Sequence, residues 1–471
     1  MHPRWLIAAS AMALFTHSGC AAPTPPPNIV LIYVDDLGWR DLGVMGSEYY
    51  ETPNIDALAS QGIRFTQAYS NAPNCAPARA SLLSGLSPPR HGVYTVGTAE
   101  RGEAANRRLV PVDNLTDLSL ATVTLAEALA GRGYATGHVG KWHLGGPGFE
   151  AAAQGFAWSV AGDASGAPPS YFHPYARNGR SLPDLDDGDD GEYLTDRLTD
   201  EALRFLDGHR DEPFFLYLSH YGVHTPIQAK AELEQYYRDK PPGTGHDNPT
   251  YAAMIQSVDE SVGRLLRRLD ERDLRDDTIV IFFSDNGGFG PATSMAPLRG
   301  SKGMLYEGGI RVPLSVRWPG TIRAGTVSDT PVIGVDLFPT LLAAAGIDPS
   351  GDPPLDGIDL TPLLTATGPI PDRPLFWHFP AYLEADASVP GPWRTTPAAA
   401  VRRGGYKLVT FFEDGRNELY DLTADLGETR DLADKDPERT AQLRALLESW
   451  WAETGAWIPT EPNPLYEAGS P

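Results

Sequence analysis

The sequence predicts an α/β protein: a large, mostly parallel sheet flanked by helices, then a smaller C-terminal α+β region carrying an antiparallel sheet. Three observations predict it. Runs such as Asn28–Val34, Phe214–Ser219 and 278–283 are apolar and rich in β-branched or aromatic residues, the pattern of strands buried on both faces. Amphipathic stretches of helical period lie between them; the longest, 251–270, puts Met254, Ile255, Val258, Val262, Leu265, Leu266 and Leu269 on one face. Beyond residue 373 the strand-like runs are short and follow one another directly, as in an antiparallel sheet.

The 471 residues are 41% hydrophobic and 21% charged, a globular composition long enough for one large domain and a smaller one. A formal net charge of -23 argues against nucleic-acid binding. It also means that an anionic ligand needs a locally positive pocket, which a bound cation supplies. Residues 1–22 read as an export signal: Arg4, a mostly apolar run at 5–15 too short to span a membrane, then small residues. Ser18-Gly19-Cys20 resembles the end of a bacterial lipoprotein signal; ordinary cleavage near Ala22 is the alternative. The expected address is periplasmic or extracellular, with membrane contact only through a lipid anchor on Cys20. Residues 23–27 read as a tether. With Cys20 removed or lipidated, Cys75 is the one thiol left and cannot form an internal disulfide.

Taken in order, Asn28–Val34 is the first strand, and it ends abruptly in Asp35-Asp36-Leu37-Gly38. Adjacent carboxylates repel unless a cation lies beside them, so the pair is either a metal site or a solvated turn. A capped helix at 52–59 and a strand at 63–65 follow. Asn-Ala-Pro-Asn-Cys75-Ala-Pro is a loop by composition. Pro77 and Ala-Arg-Ala-Ser-Leu-Leu then start a helix, which Arg90-His91-Gly92 closes. Cys75 thus falls at a helix N-terminus, where free N–H groups favour an anion; the alternative is a small residue near a cap. The strand at 134–140 runs into Lys141-Trp142-His143, whose lysine and histidine share one face of extended chain. The aspartate-rich segment 184–190 lacks calcium-loop spacing and reads as solvated. A helix at 195–206 precedes Phe214–Ser219, which delivers His220 and His224-Thr225-Pro226.

The strand at 278–283 ends in Ser284-Asp285-Asn286-Gly287-Gly288, mirroring the first. Asp35, Asp36, Asp285 and Asn286 offer four hard oxygen donors, suited to Ca2+ ahead of Mg2+, and nothing has zinc-like Cys/His spacing. A glycine-rich block at 299–313 carries Lys302, and a flanking helix begins near 336. The Pro/Gly-rich 353–374 marks a junction, dividing a main domain at 28–372 from a C-terminal subdomain at 373–471. In the latter, short strands at 375–379, 398–402, 406–409 and 418–421 precede a helix at 437–451. Ligands of parallel α/β sheets bind at the strands' C-terminal ends, so Asp35-Asp36, Lys141/His143, His224 and Asp285-Asn286 are expected along one edge. His220, Trp377, His378 and Arg394 are candidates for contacting a substrate there, with core packing the alternative for the tryptophan.

Cys75-x-Pro77-x-Arg79, continuing through Ser81-Leu82-Leu83-Ser84-Gly85, resembles the signature of the type I sulfatases, the formylglycine-dependent members of the alkaline phosphatase superfamily. Gly140-Lys141-Trp142-His143-Leu144-Gly145, His224-Thr225-Pro226 and Tyr306-Glu307-Gly308-Gly309-x-Arg311-x-Pro313 resemble further motifs of that family, in the expected order. The resemblance implies an alkaline-phosphatase-like fold and a sulfuric ester hydrolase. It implies that a formylglycine-generating enzyme oxidises Cys75 to formylglycine, whose hydrate is the nucleophile and joins Asp35, Asp36, Asp285 and Asn286 at the metal. Arg79, Lys141 and Lys302 would supply positive charge, Asp285 would take a proton from the nucleophile, His224 would protonate the leaving alcohol, and His143 would help expel sulfate. The implied substrate is a sulfated carbohydrate, of galactose-4-sulfate type, or a small sulfate ester such as an aryl sulfate. The alternatives are a phosphonate monoester or phosphodiester hydrolase of the same superfamily, and a non-catalytic sulfoglycan-binding protein should Cys75 stay unmodified.

Overall fold

A computed structural model describes residues 25–349 and 354–467; the export signal expected at 1–22, with Cys20, lies outside them. Nine strands form the main sheet: β1 (Asn28–Val34), β2 (Ile63–Tyr69), β3 (Ala135–Gly140), β4 (Trp158–Val160), β5 (Phe214–Ser219), β6 (Thr278–Ser284), β7 (Arg311–Arg317), β8 (Thr326–Ser328) and β9 (Val332–Ile333). Their order is β8-β2-β7-β6-β1-β5-β3-β4, with β9 also on β2. Only β7 runs against the rest, pairing antiparallel with both β2 and β6. The architecture is the expected one, a mixed but mostly parallel sheet with flanking helices.

Every residue of β1, β5 and β6 is buried, which is why those runs are apolar without alternation. Val30, Ile32 and Val34 face one way, into a core shared with α3 (Leu194–Gly208) and α4 (Pro249–Glu271); Ile29, Leu31 and Tyr33 face the other, into a core shared with α2 (Cys75–Ser84) and α5 (Leu337–Ala344). The sheet is thus covered on both sides, and its backbone hydrogen bonds are sealed from water.

The parallel register aligns the strand ends. Val34 pairs with Ser284, Tyr33 with Ser219, and Gly140 with Ser219. The residues that follow each strand, Asp35, Asp285, His220 and Lys141, therefore leave the sheet along one edge. β2, parallel in sense to β6, ends at the same edge and leads through Ser70–Asn74 to α2.

Two readings of the sequence are corrected here. The helix after Cys75 is closed by Gly85 in the left-handed conformation (φ 69°), not by Arg90-His91-Gly92; a separate turn at Pro88–His91 carries those residues. β7 begins at the end of the glycine-rich block read at 299–313 and runs on to Arg317, a strand not expected from the sequence. Its Arg311, Pro313 and Arg317 mask the strand pattern, and the register of its pairing with β2 shifts between Phe65 and Ala68, opposite Pro313. A bulge is where a sheet tolerates a residue without an N–H.

Beyond the junction, β10 (Leu375–Phe379), β11 (Ala398–Arg403), β12 (Tyr406–Phe411) and β13 (Asn417–Asp421) form an antiparallel sheet in sequential order. The helix α6 (Pro437–Thr454) covers one face with Leu443, Leu447, Trp450 and Trp451. No described helix is long and apolar enough to cross a membrane.

Candidate active site

A pocket of about 320 Å³ opens over the sheet edge, lined by Asp36, Asn74, Cys75, His143, His224 and Lys302 at its floor and by Val96, Arg101, Leu383 and Arg394 at its rim. Asp35 and Asp36 are buried, and Asp36 takes a left-handed backbone (φ 58°) that turns the chain off the end of β1. The Tyr251 hydroxyl on α4 lies 2.9 Å from the Asp36 carbonyl and 2.8 Å from Asp41 Oδ2, its one proton shared between them, and fixes that turn. Cys75 begins α2 and is buried. Ligand atoms of Asp35, Asp36, Cys75 and His224 all lie within 4.8 Å of one another.

Cations surround this cluster. Lys141 Nζ lies 2.5 Å from Asp35 Oδ2, and Lys302 Nζ lies 2.7 Å from Asp36 Oδ1. Arg79, four residues into α2, reaches back to Asp285 Oδ2 at 2.9 Å. Asp285 Oδ1 accepts the Asp36 N–H at 3.1 Å, while Asn286 Nδ2 donates to Asp36 Oδ1 at 2.8 Å. Among the described residues, Asp35 Oδ1 and Asn286 Oδ1 in this cluster, and Asn74 Oδ1 beside it, are buried acceptors without a donor. Buried oxygens normally have partners. Orphaned oxygens in a group of carboxylates are what a hard divalent cation would satisfy, so the donor set fits such an ion.

The electrostatics follow from burial among opposed charges. Burial opposes a Cys75 thiolate, but Lys141, Lys302 and a hydrogen bond from His224 outweigh it and bring the thiol down to about 6. Burial and Lys302 disfavour a charged His224, yet Asp36 and Asp35 hold its protonation upward. Burial, with Lys141, Arg79 and the other cations, drives His143 well below the usual histidine range, so its ring is neutral. Burial and the neighbouring Asp35 push Asp285 up to about 7. Burial raises Asp35 despite Lys141, whereas Asp36 is held low because Lys302, His224 and Lys141 overcome its burial. Neighbouring carboxylates are thus driven to different protonation, as acid–base sites require.

The structure therefore brings Asp35, Asp36, Cys75, Arg79, Lys141, His143, His224, Asp285, Asn286 and Lys302 to one locus, with Arg394 at its rim. Three residues expected to contact substrate are elsewhere. His220 is buried beneath the edge with Nε2 3.1 Å from Ser261 Oγ, and burial pushes it down to about 3. Trp377 packs in the core on Tyr69 and donates to the Ser70 carbonyl at 2.7 Å. His378 is buried with Nε2 2.9 Å from the Trp457 carbonyl. Each follows or sits in a strand whose alternation points that side chain into a core. Arg101 and Gly166, both lining the pocket, were not singled out from sequence. Arg101 falls in a polar loop with no motif around it, and no sequence signal marks either.

A buried acidic cluster, a buried acidified cysteine at a helix N-terminus and convergent cations on a doubly covered parallel sheet define a hydrolase of esters of strong oxyacids. The chain belongs to the sulfatase family, whose model matches residues 27–347, and it is a sulfuric ester hydrolase. A second match, to the N-sulphoglucosamine sulphohydrolase C-terminal family, covers residues 301–452. The chain is 34% identical to a sulfatase of Formosa agariphila, over 92% of this chain and 90% of that protein. It is 35% identical to human N-acetylgalactosamine-6-sulfatase, over 76% of this chain and 70% of that one. Among solved structures it is similar to Ps i-CgsB in complex with k-i-k-neocarrahexaose, at a TM-score of 0.75 and 29% identity, covering 92% of this chain and 95% of that chain. The fold is also that of a phosphonate monoester hydrolase of Agrobacterium radiobacter, at a TM-score of 0.67 and 21% identity, covering 91% of this chain and 96% of that one.

Proposed function

We propose that the protein is an exported carbohydrate sulfatase that cleaves a galactose-4-sulfate-type ester, using formylglycine formed from Cys75 and a bound Ca2+. The observation that carries the reading is Cys75: buried, first residue of its helix, with Asp35, Asp36 and His224 donor atoms within 4.8 Å. The carbohydrate class is supported by what the relatives act on or bind by name, and the 6-sulfate named for the human relative is the second regiochemistry to test.

Asp35, Asp36, Asp285 and Asn286 would hold the cation, which would supply Lewis-acid stabilisation of charge on the sulfate oxygens. Formylglycine at position 75 would supply a gem-diol nucleophile. The chain's own residues do the rest. Lys302 neutralises the sulfate oxygens at the floor of the pocket, and Lys141, buried against Asp35, adds positive charge behind them. Arg79 orients Asp285, which would take a proton from the nucleophile. His224, favoured in its protonated form by Asp36 and Asp35, gives a proton to the leaving alcohol oxygen. His143, held neutral, takes up a proton as sulfate departs.

The test is paired kinetics on protein co-expressed with a formylglycine-generating enzyme, using 4- and 6-sulfated galactose and galactosamine against the matching phosphate esters. Sulfate release from a sulfated sugar, abolished by Cys75→Ala, is expected. A phosphate preference would move the assignment to the phosphonate and phosphodiester hydrolases. Chelation is expected to abolish turnover and lower Tm, with Ca2+ restoring both.

A further inference from the structure

The rim of the pocket carries two arginines that the mechanism does not use. Arg101 lies in the loop after the Pro88–His91 turn, and Arg394 on a hairpin in which Leu383–Glu384 pairs with Trp393–Thr395. The two pieces of chain are clamped together. The Trp393 ring occupies the space beside Gly102, where an added Cβ would lie 2.6 Å from it, and its Nε1 donates to the Asn106 carbonyl at 3.0 Å. Arg107 NH1 holds the carbonyls of Arg101 and Gly102 at 2.7 and 3.0 Å. The Arg394 side chain lies against the backbone of Gly303, directly after Lys302. One arginine is therefore a neighbour of the lysine at the sulfate end of the pocket.

Each guanidinium is aimed by a carboxylate. Arg101 Nε donates to Glu384 Oε2 at 2.9 Å, and Arg394 NH1 to Asp386 Oδ2 at 2.9 Å. Those carboxylates are already engaged on their other oxygens: Glu384 Oε1 accepts the Gly102 N–H at 3.0 Å, and Asp386 Oδ1 accepts Ser388 N and Oγ. The nearby Ser165 hydroxyl is likewise committed, to the Ala167 carbonyl at 3.2 Å. What the two arginines leave without a partner, among the described residues, is NH2 of Arg101, and NH2 and the buried Nε of Arg394. Two guanidinium groups with free N–H edges on one pocket rim suit an all-acceptor group. A neutral sugar's hydroxyls need acceptors as well, and a planar fork matches sulfate or carboxylate geometry. In a chain of net charge -23, two arginines on one pocket rim are not part of a general basic surface.

We propose that Arg101 and Arg394 form a subsite for a second anionic group, on the sugar whose sulfate is cleaved or on the sugar linked to it, so that the substrate is a saccharide with at least two negative charges. The proposal rests on the sulfated-sugar reading of the same site, but binding tests it separately from turnover. The full-length Cys75→Ala variant, which has no heteroatom to oxidise to the aldehyde, is titrated by calorimetry with three probes: a monosulfated hexosamine, the same sugar with a second sulfate, and the monosulfated sugar linked to a hexuronate. At least one dianionic probe is expected to bind ten-fold or more tightly than the monosulfated one, with the preference shrinking at high salt. The better of the two identifies sulfate or carboxylate as the second group. Adding Arg101→Gln or Arg394→Gln should bring the ratio to within two-fold, and Arg394→Lys, which keeps charge but not the fork, should leave an intermediate ratio; unchanged melting temperatures establish that the variants are folded. Equal affinity for all three probes, or a preference that survives both glutamine variants, overturns the subsite. Sulfate release by the matured wild type without dianion preference removes the subsite alone, whereas dianion preference without sulfate release removes the hydrolytic reading alone.

Discussion

At the scale of single residues, the site depends on small side chains as much as on charged ones. Gly166 stands against His143: a Cβ there would lie 2.4 Å from the imidazole Cε1 and 2.7 Å from Nε2. Gly166→Ala must therefore displace the ring. A shift near 1 Å at a reacting group costs about 100-fold, so kcat for sulfate release should fall by roughly 10- to 100-fold with metal content per chain unchanged. An unaltered kcat would mean that His143 takes no part. Gly287 is similar, since a Cβ would lie 1.9 Å from the Gly308 carbonyl, while Cβ atoms on Gly308 and Gly309 would lie 2.2 and 2.0 Å from the carbonyls of Gly300 and Met304. The carboxylates, Lys141 and His224 were legible because each follows, within a few residues, a strand-like run that the sequence displays, and Cys75 because of the motif Cys75-x-Pro77-x-Arg79 around it. Arg101 was not, because a loop side chain is placed by tertiary contacts with Glu384 and Trp393, far away in the chain. His220, Trp377 and His378 were misassigned for the converse reason: polar or amphipathic side chains next to motif residues, yet turned into cores by the strand's alternation.

At the scale of elements, most helices and strands were read correctly because burial on both faces leaves long apolar runs and burial on one leaves clean periodicity. β7 was missed because its arginines and Pro313 break the run. Elements also cap one another. Asp259 on α4 accepts the backbone N–H groups of Asn54 and Ile55 at 2.9 and 2.8 Å, closing the start of α1 (Pro53–Ser60). Asp259→Ala leaves those buried donors unmet and should cost about 2 kcal/mol in chemical denaturation. Burial, opposed by these hydrogen bonds, pushes the Asp259 carboxyl up to about 6. A value raised on folding means that the folded state holds the proton more tightly. The associated stability is complete below the unfolded value of about 3.9 and lost as pH rises toward 6. Asp259→Asn should remove that slope: the difference in Tm between wild type and variant should change between about pH 4 and 6 and be constant above. A difference that is flat throughout would contradict the shift.

At the scale of the molecule, the main sheet and the C-terminal sheet meet across a buried ionic network. Lys407 on β12 lies 3.1 Å from Glu307 and 2.9 Å from Glu428, and all three are buried. Glu307 also accepts from Tyr69 on β2 at 2.7 Å, and Tyr69 in turn pairs with Arg402 on β11. Removing one member of a buried cluster leaves its partners uncompensated. Lys407→Met should cost about 3–5 kcal/mol, read from denaturant unfolding; a loss below about 1 kcal/mol would mean that the network does not couple the two sheets. The rim subsite depends on this junction, since its Arg394 belongs to the C-terminal part of the chain while Arg101 and Lys302 do not. The two-part architecture was visible in the sequence as a change from long, interrupted strands to short consecutive ones. The network was not visible, because its members come from three separate parts of the chain, Tyr69, Glu307 and the segment from Arg402 to Glu428, which only the tertiary fold brings together.

The central claim is that Cys75 is matured to the nucleophile, and peptide mass spectrometry of protein from its native host tests it most directly. Conversion to formylglycine lowers the mass of the Cys75 peptide by about 18 Da, a product distinct from the usual thiol oxidations. The account predicts that loss in the catalytically active fraction. Unmodified cysteine in freshly isolated protein that still releases sulfate would contradict it.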